Sequence, residues 1–206
     1  MRRALAVLAA AVLLALAGCG SPADTMPVTN PGSATPAVVE VAEPTTVRIP
    51  KLDITAQLAR TGLNPDGTIE VPPVTEPMQA SWFDEGGRPG MAGYPGVILG
   101  HVSGRPVGAT RSVPGVFAKL GDLHVGDEVL VDRADGTTAR FVVGEVRRYC
   151  KDAEQQRAGC KDPLFDTDAV YGDTASPTLR LITCGGLYDA DAHSYRSNIV
   201  AFANLA

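Results

Sequence analysis

The chain has 206 residues, 45% of them hydrophobic but only 5% aromatic, and a formal net charge of −5. That length suits one domain with a sizeable core once the ends are set aside. The acid excess and the lack of a basic stripe remove the electrostatic footprint of nucleic-acid binding, so no nucleic-acid partner is expected.

In chain order, the basic start Met1-Arg2-Arg3 is followed by an unbroken apolar run from Ala4 to Ala17. It falls short of the ~20 apolar residues that span a bilayer but suits the core of a secretory signal. The run closes on Leu16-Ala17-Gly18-Cys19, which resembles a bacterial lipobox. Such a motif implies cleavage after Gly18 and acylation of Cys19, and two or three acyl chains anchor firmly at about 0.8 kcal/mol per buried methylene. Ordinary secretion, with Cys19 a chance neighbour of the cleavage site, is the competing reading. Prolines 22, 27, 31, 36 and 44 then punctuate a segment with little to bury, a flexible tether between lipid and domain. The expected division is a signal peptide over 1–18, a tether over 19–43 and one folded domain over 44–206.

Within the domain most segments predict strands. Thr45 to Ile49 and Ile54 to Arg60 are short, rich in β-formers and bounded by turn residues. Asn64-Pro-Asp-Gly67 marks a turn. Gly96 to Val102 is a continuous apolar run, as in a fully buried strand. Val113 to Leu123 holds one or two helical turns, with Val116, Phe117 and Leu120 at helical spacing. Asp127 to Arg133 and Thr137 to Tyr149 flank Asp135-Gly136 as the clearest hairpin. Thr178 to Cys184 and Asn198 to Leu205 close the chain as two more strands. Close-set strands with little helix predict an all-β barrel or sandwich.

Four cysteines occur, at 19, 150, 160 and 184. With Cys19 lipidated, three remain in an oxidising compartment and one is left over. Cys150 and Cys160 bracket a short polar segment, and a disulfide closing so small a loop contributes somewhat under ~3 kcal/mol on a chain-entropy basis. Pairing of either with Cys184 stays open. Cys184 ends an alternating apolar run before two glycines, and reads equally as a nucleophile or as a core filler. His101 ends the buried run beside Ser103-Gly104, well placed for a cleft floor; His124 and His193 sit in polar segments. Arg196 starts the last strand, where a hairpin would bring it to the same end of the sheet as Cys184. Arg180 is a rival, because positions 180, 182 and 184 share one strand face.

A histidine in VILGHVSG, a cysteine closing LRLITCGG and an arginine in YRSNIVAFANL, in that order, resemble the sortase family of Gram-positive cell-surface cysteine transpeptidases. VRIPKLDI, NPDGTIEVP, VYG and LRLITCGGLYD are most like class F sortases. The resemblance covers about Pro44 to Ala206 and implies an eight-stranded β-barrel with short helices, with catalytic roles for His101, Cys184 and Arg196. Sortases are usually held by a transmembrane helix, whereas this chain carries a lipobox-like signal. The Cys150–Cys160 segment is extra, and falls where the family shapes its substrate groove. Some sortases bind calcium near there; Glu154, Asp162, Asp166 and Asp168 lack a recognisable ligand spacing, so no cofactor and no metal are expected.

Acyl transfer needs a nucleophile, a proton shuttle and a stabiliser of negative charge. A thiol has a pKa near ~8.5 that neighbouring cations lower, and a thioester is easily reopened by an amine. The expected reaction is attack by Cys184 on a Thr–Gly-type bond of an LPxTG-like sorting signal. His101 would move the proton and Arg196 would hold the carbonyl or oxyanion. Thr183, Arg180 and Tyr188 are candidate substrate contacts, Tyr195 is a further cleft candidate, and Asp189 and Asp191 read as water-facing loop residues, with orientation of a histidine the lesser reading. The expected partners are surface proteins bearing a C-terminal sorting signal, an amine of a peptidoglycan precursor, and the membrane through the lipid. The expected location is the extracytoplasmic face of the cell membrane. No lid-like Asp-Pro-aromatic segment precedes the domain, which disfavours a pilin lysine as acceptor, and water as acceptor would make a protease. The alternative is a non-catalytic, peptide-binding surface lipoprotein with the same barrel.

Overall fold

The computed structural model describes residues 40–206; the expected signal peptide, Cys19 and most of the expected tether lie outside the described residues. Pro44–Ile49 (β1) and Ile54–Thr61 (β2) pair antiparallel across a tight turn. Ala80–Phe83 (β3), Gly96–Gly100 (β4) and the two-residue strands Ser103–Gly104 (β5) and Val113–Pro114 (β6) follow. Then come Glu128–Arg133 (β7), Thr138–Cys150 (β8), the short helices Ala153–Arg157 (α1) and Thr167–Tyr171 (α2), Thr178–Asp189 (β9) and Ser194–Leu205 (β10). Eight strands close a barrel in the order β1-β2-β3-β4-β9-β10-β8-β7, with β7 returning to β1, while β5 and β6 form a separate ribbon.

The expected eight-stranded barrel is therefore present. Its strands form because alternate apolar residues bury on one side. Val47, Ile49, Val129, Val131, Phe141, Val143, Leu179, Leu181, Ala201 and Ala203 fill the interior. Val97, Leu99, Tyr149, Ile182 and Val200 face the other way, into a second cluster that Val170 of α2 completes. β4 contributes to both clusters and all five of its residues are buried, which is why its sequence shows no alternation. The β7–β8 hairpin turns where Gly136 adopts φ +82° and the Asp135 carboxylate accepts from the Thr137 amide at 2.9 Å.

The structure differs from the sequence reading in places. Val113–Pro114 is extended, and within Val113 to Leu123 the expected helical turn is the 3-10 segment Leu120–Asp122. β9 runs on to Asp189 rather than stopping at Cys184, because Gly186 takes φ +74° and a register shift lets the hairpin continue. Glu40 to Glu43, at the end of the stretch read as a tether, is held to the barrel. Arg88 donates to the Val41 carbonyl at 2.6 Å, and the Ala134 amide donates to that of Glu43 at 2.9 Å.

Candidate active site

Strand phase decides where Cys184 faces. Leu179 and Leu181 enter the barrel interior and Ile182 the outer cluster, so Cys184, in phase with Ile182, lies on the outer face. It is partly exposed and free, because Cys150 and Cys160 form the disulfide. The open pairing question is thus settled in favour of the short loop.

Cys184 lines a groove of about 1030 Å³. The ribbon β5–β6 forms one wall with Val102, Ser103, Gly104, Val113 and Pro114; the β9–β10 hairpin forms the other with Tyr188, His193, Ser194 and Tyr195. Ser103 and Tyr195 share a hydrogen bond of 2.8 Å between their hydroxyls, which ties the walls together. Tyr188 and Tyr195 stack edge to face at 5.1 Å.

His101, one residue beyond β4, also lines the groove. Its Nε2 lies 2.6 Å from the Pro72 carbonyl oxygen. A carbonyl only accepts, so Nε2 carries a proton and Nδ1 is left to exchange one. Gly115 makes this packing possible: a Cβ there would lie 2.2 Å from the His101 carbonyl oxygen.

Arg196 shares the hairpin but has a different setting. Cys184 pairs with Asn198, two residues along β10 from Arg196, and the ladder shifts register between Tyr195 and Ser197. The guanidinium is outside the groove lining. Its Nη1 donates to the Ala158 carbonyl of the disulfide loop, and its Nη2 to Asp189 Oδ2 at 3.2 Å. Asp189 therefore holds an arginine and not a histidine. The Ala192 amide, with help from Arg196, keeps the Asp189 carboxyl below its ordinary range.

Of the substrate contacts read from the sequence, Tyr188 lines the groove and is exposed. Thr183 is buried on the opposite strand face. Arg180 is buried too, its guanidinium 4.6 Å from the Phe202 ring centroid, and burial pushes its pKa down. Neither lines the groove; both have packing positions. His193 lines the groove, while His124 is exposed elsewhere, its amide bonded to Asp127. Sequence reasoning missed Val74, Thr75 and Arg105, which reach the groove from loops with no local motif. Asp166 caps α2 by accepting from the Ala169 amide at 3.0 Å, and Asp162 accepts from Ser197 at 3.0 Å. Among the described residues no three His, Cys, Asp or Glu side chains converge as metal ligands.

The Sortase domain model matches residues 47–206. The chain belongs to the sortase family. Its fold agrees with solved sortases of low identity. Sortase C1 of Streptococcus agalactiae superposes with a TM-score of 0.56 at 16% identity, covering 82% of this chain and 70% of that one. Sortase C-1 of Actinomyces oris gives 0.56 at 17%, covering 80% and 75%. A lid mutant of sortase A from Corynebacterium diphtheriae gives 0.55 at 17%, covering 83% and 74%. No curated protein matches at the sequence level. The family is one of cysteine transpeptidases associated with the Gram-positive cell surface, and no described helix of this sortase is long and apolar enough to cross a membrane.

Proposed function

We propose that this sortase is an extracytoplasmic transpeptidase that cuts an LPxTG-like sorting signal and passes the acyl group to an amine of a peptidoglycan precursor. One observation carries the reading: the free thiol of Cys184 and the imidazole of His101 line the same groove. At about 1030 Å³ the groove lies at the top of the ~300–1,000 Å³ range of ligand sites, room enough for a short peptide. Exposed Val74, Val113 and Tyr188 along it offer apolar contact.

Cys184 gives its thiol proton to His101 Nδ1, and the thiolate sulfur attacks the threonyl carbonyl, forming a C–S bond. As the C–N bond breaks, His101 gives a proton to the departing glycyl amine, leaving a thioester. The acceptor amine then attacks, His101 takes its proton, and the thiolate leaves. Arg196 acts on the carbonyl oxygen, using N–H donors beyond the two committed to Ala158 and Asp189. Tyr188 contacts the peptide. The motifs around Cys184 favour class F, and the lipobox-like start favours a lipid anchor at Cys19 on the outer membrane face.

The test is mass spectrometry of the full-length protein mixed with a peptide library. The expected result is an acyl adduct on Cys184 alone, absent in Cys184→Ala. An unmodified Cys184 that also resists alkylation in the unreduced protein would sink the reading.

A further inference from the structure

The Cys150–Cys160 loop, which the transpeptidase chemistry does not use, converges on Arg196. Cys150 ends β8 and pairs in register with Ser197 on β10. From inside the loop, the Lys151 amide donates to the Arg196 carbonyl at 3.2 Å, and Lys151 Nζ donates to Ser194 Oγ at 2.7 Å. The Ala158 carbonyl accepts from Arg196 Nη1. Cys160 Sγ lies 3.4 Å from Ser197 Oγ, which in turn donates to Asp162. The loop thus grips the residues on both sides of Arg196, its backbone and its guanidinium. The grip falls where the β9–β10 ladder shifts register, so regular strand geometry does not itself fix the arginine there.

We propose that the disulfide-closed loop and Asp189 act together as a clamp that positions Arg196 for catalysis. The proposal rests on the role given to Arg196 above. A long side chain loses much freedom when ordered, and a donor aimed at a developing oxyanion is effective only when already oriented. Two anchors on different Nη atoms fix the plane of the guanidinium. Asp189 and Ala158 are positioning residues, not catalytic ones.

Two variants of the full-length protein test the clamp. The double variant Cys150→Ser/Cys160→Ser opens the loop and leaves Cys184 untouched. Asp189→Asn retains the Oδ1 that accepts from the Asp191 and Ala192 amides, but sets an amide against Nη2. Modification by an arginine-selective dicarbonyl, mapped by peptide mass spectrometry, should quicken several-fold at Arg196 in both. Arg105, exposed and without a side-chain partner among the described residues, should react at its native rate. Turnover of a sorting peptide should fall tenfold or more in kcat with KM within twofold. An unchanged Arg196 modification rate overturns the clamp, and so does an unchanged or raised kcat. Should the double variant fail to fold by circular dichroism, Asp189→Asn decides alone. Should the native protein acylate no peptide, the transpeptidase reading fails while the modification rates still judge the clamp.

Discussion

A thiol on a strand is ordinarily a small hydrophobe; its neighbours decide whether it is more. Cys184 escapes the core because strand phase turns it to the outer face with Ile182, and it escapes oxidation because the other two described cysteines take each other. His101 has its tautomer fixed by a backbone carbonyl, a partner that needs no acidic side chain. In the proposed reaction Arg196 has the more exacting position, because the guanidinium that already donates to Ala158 and Asp189 would also serve a substrate oxygen. Lysine keeps the charge but offers a single nitrogen in place of the planar fork. Arg196→Lys should therefore lower kcat by about 100-fold or more, the scale seen when an oxyanion donor is lost. Steady-state kinetics on a fluorogenic sorting peptide measures this, and near-native turnover removes the arginine from the chemistry.

At the scale of elements, the ribbon β5–β6 and the β9–β10 hairpin form the groove walls, and His101 sits where the ribbon leaves β4. Gly115 lets the two pack backbone on backbone. In Gly115→Ala the added methyl would meet the His101 carbonyl oxygen at 2.2 Å and the His101 Cβ at 2.9 Å, and backbone cannot step aside as a flexible side chain can. Overpacking of this kind costs about 1–3 kcal/mol. The variant should melt lower and acylate more slowly; thermal unfolding and single-turnover labelling check both, and native values in both would show that the ribbon yields freely. Much of this layout was legible in the sequence, because alternating runs such as β7 and β8 declare their buried face and β9 and β10 stand out as apolar stretches. β3, with four residues, and α1 and α2, with five each, are too short to show a period. The parallel pairings β2–β3 and β4–β9 depend on long-range closure and leave no local signal. The order of His101, Cys184 and Arg196 was readable, but not the contacts of Arg196, since Ala158 approaches it from a loop that only the folded chain brings near.

At the scale of the whole molecule, the site stands on two apolar clusters, one inside the barrel and one outside it. The outer one packs Val97 and Leu99 of β4 against Ile182 of β9 and Val170 of α2, and so backs the strands that lead to His101 and Cys184. Tyr171, at the end of α2, packs on this cluster with its ring 5.9 Å from that of Phe165. Burial pushes its pKa up to about 12, above the ordinary ~10 of an unfolded tyrosine. The neutral phenol is the form the fold accepts, so its stabilising contribution is full below pH ~10 and is lost as the pH rises toward 12. Two pKa units correspond to about 2–3 kcal/mol across that window. In urea unfolding from pH 9 to 12, Tyr171→Phe should lose less stability than the native chain by an amount of that order, because phenylalanine keeps the ring and has nothing to ionise. Parallel curves for the two proteins would mean that the Tyr171 hydroxyl already meets water, and that the outer cluster is open at this corner.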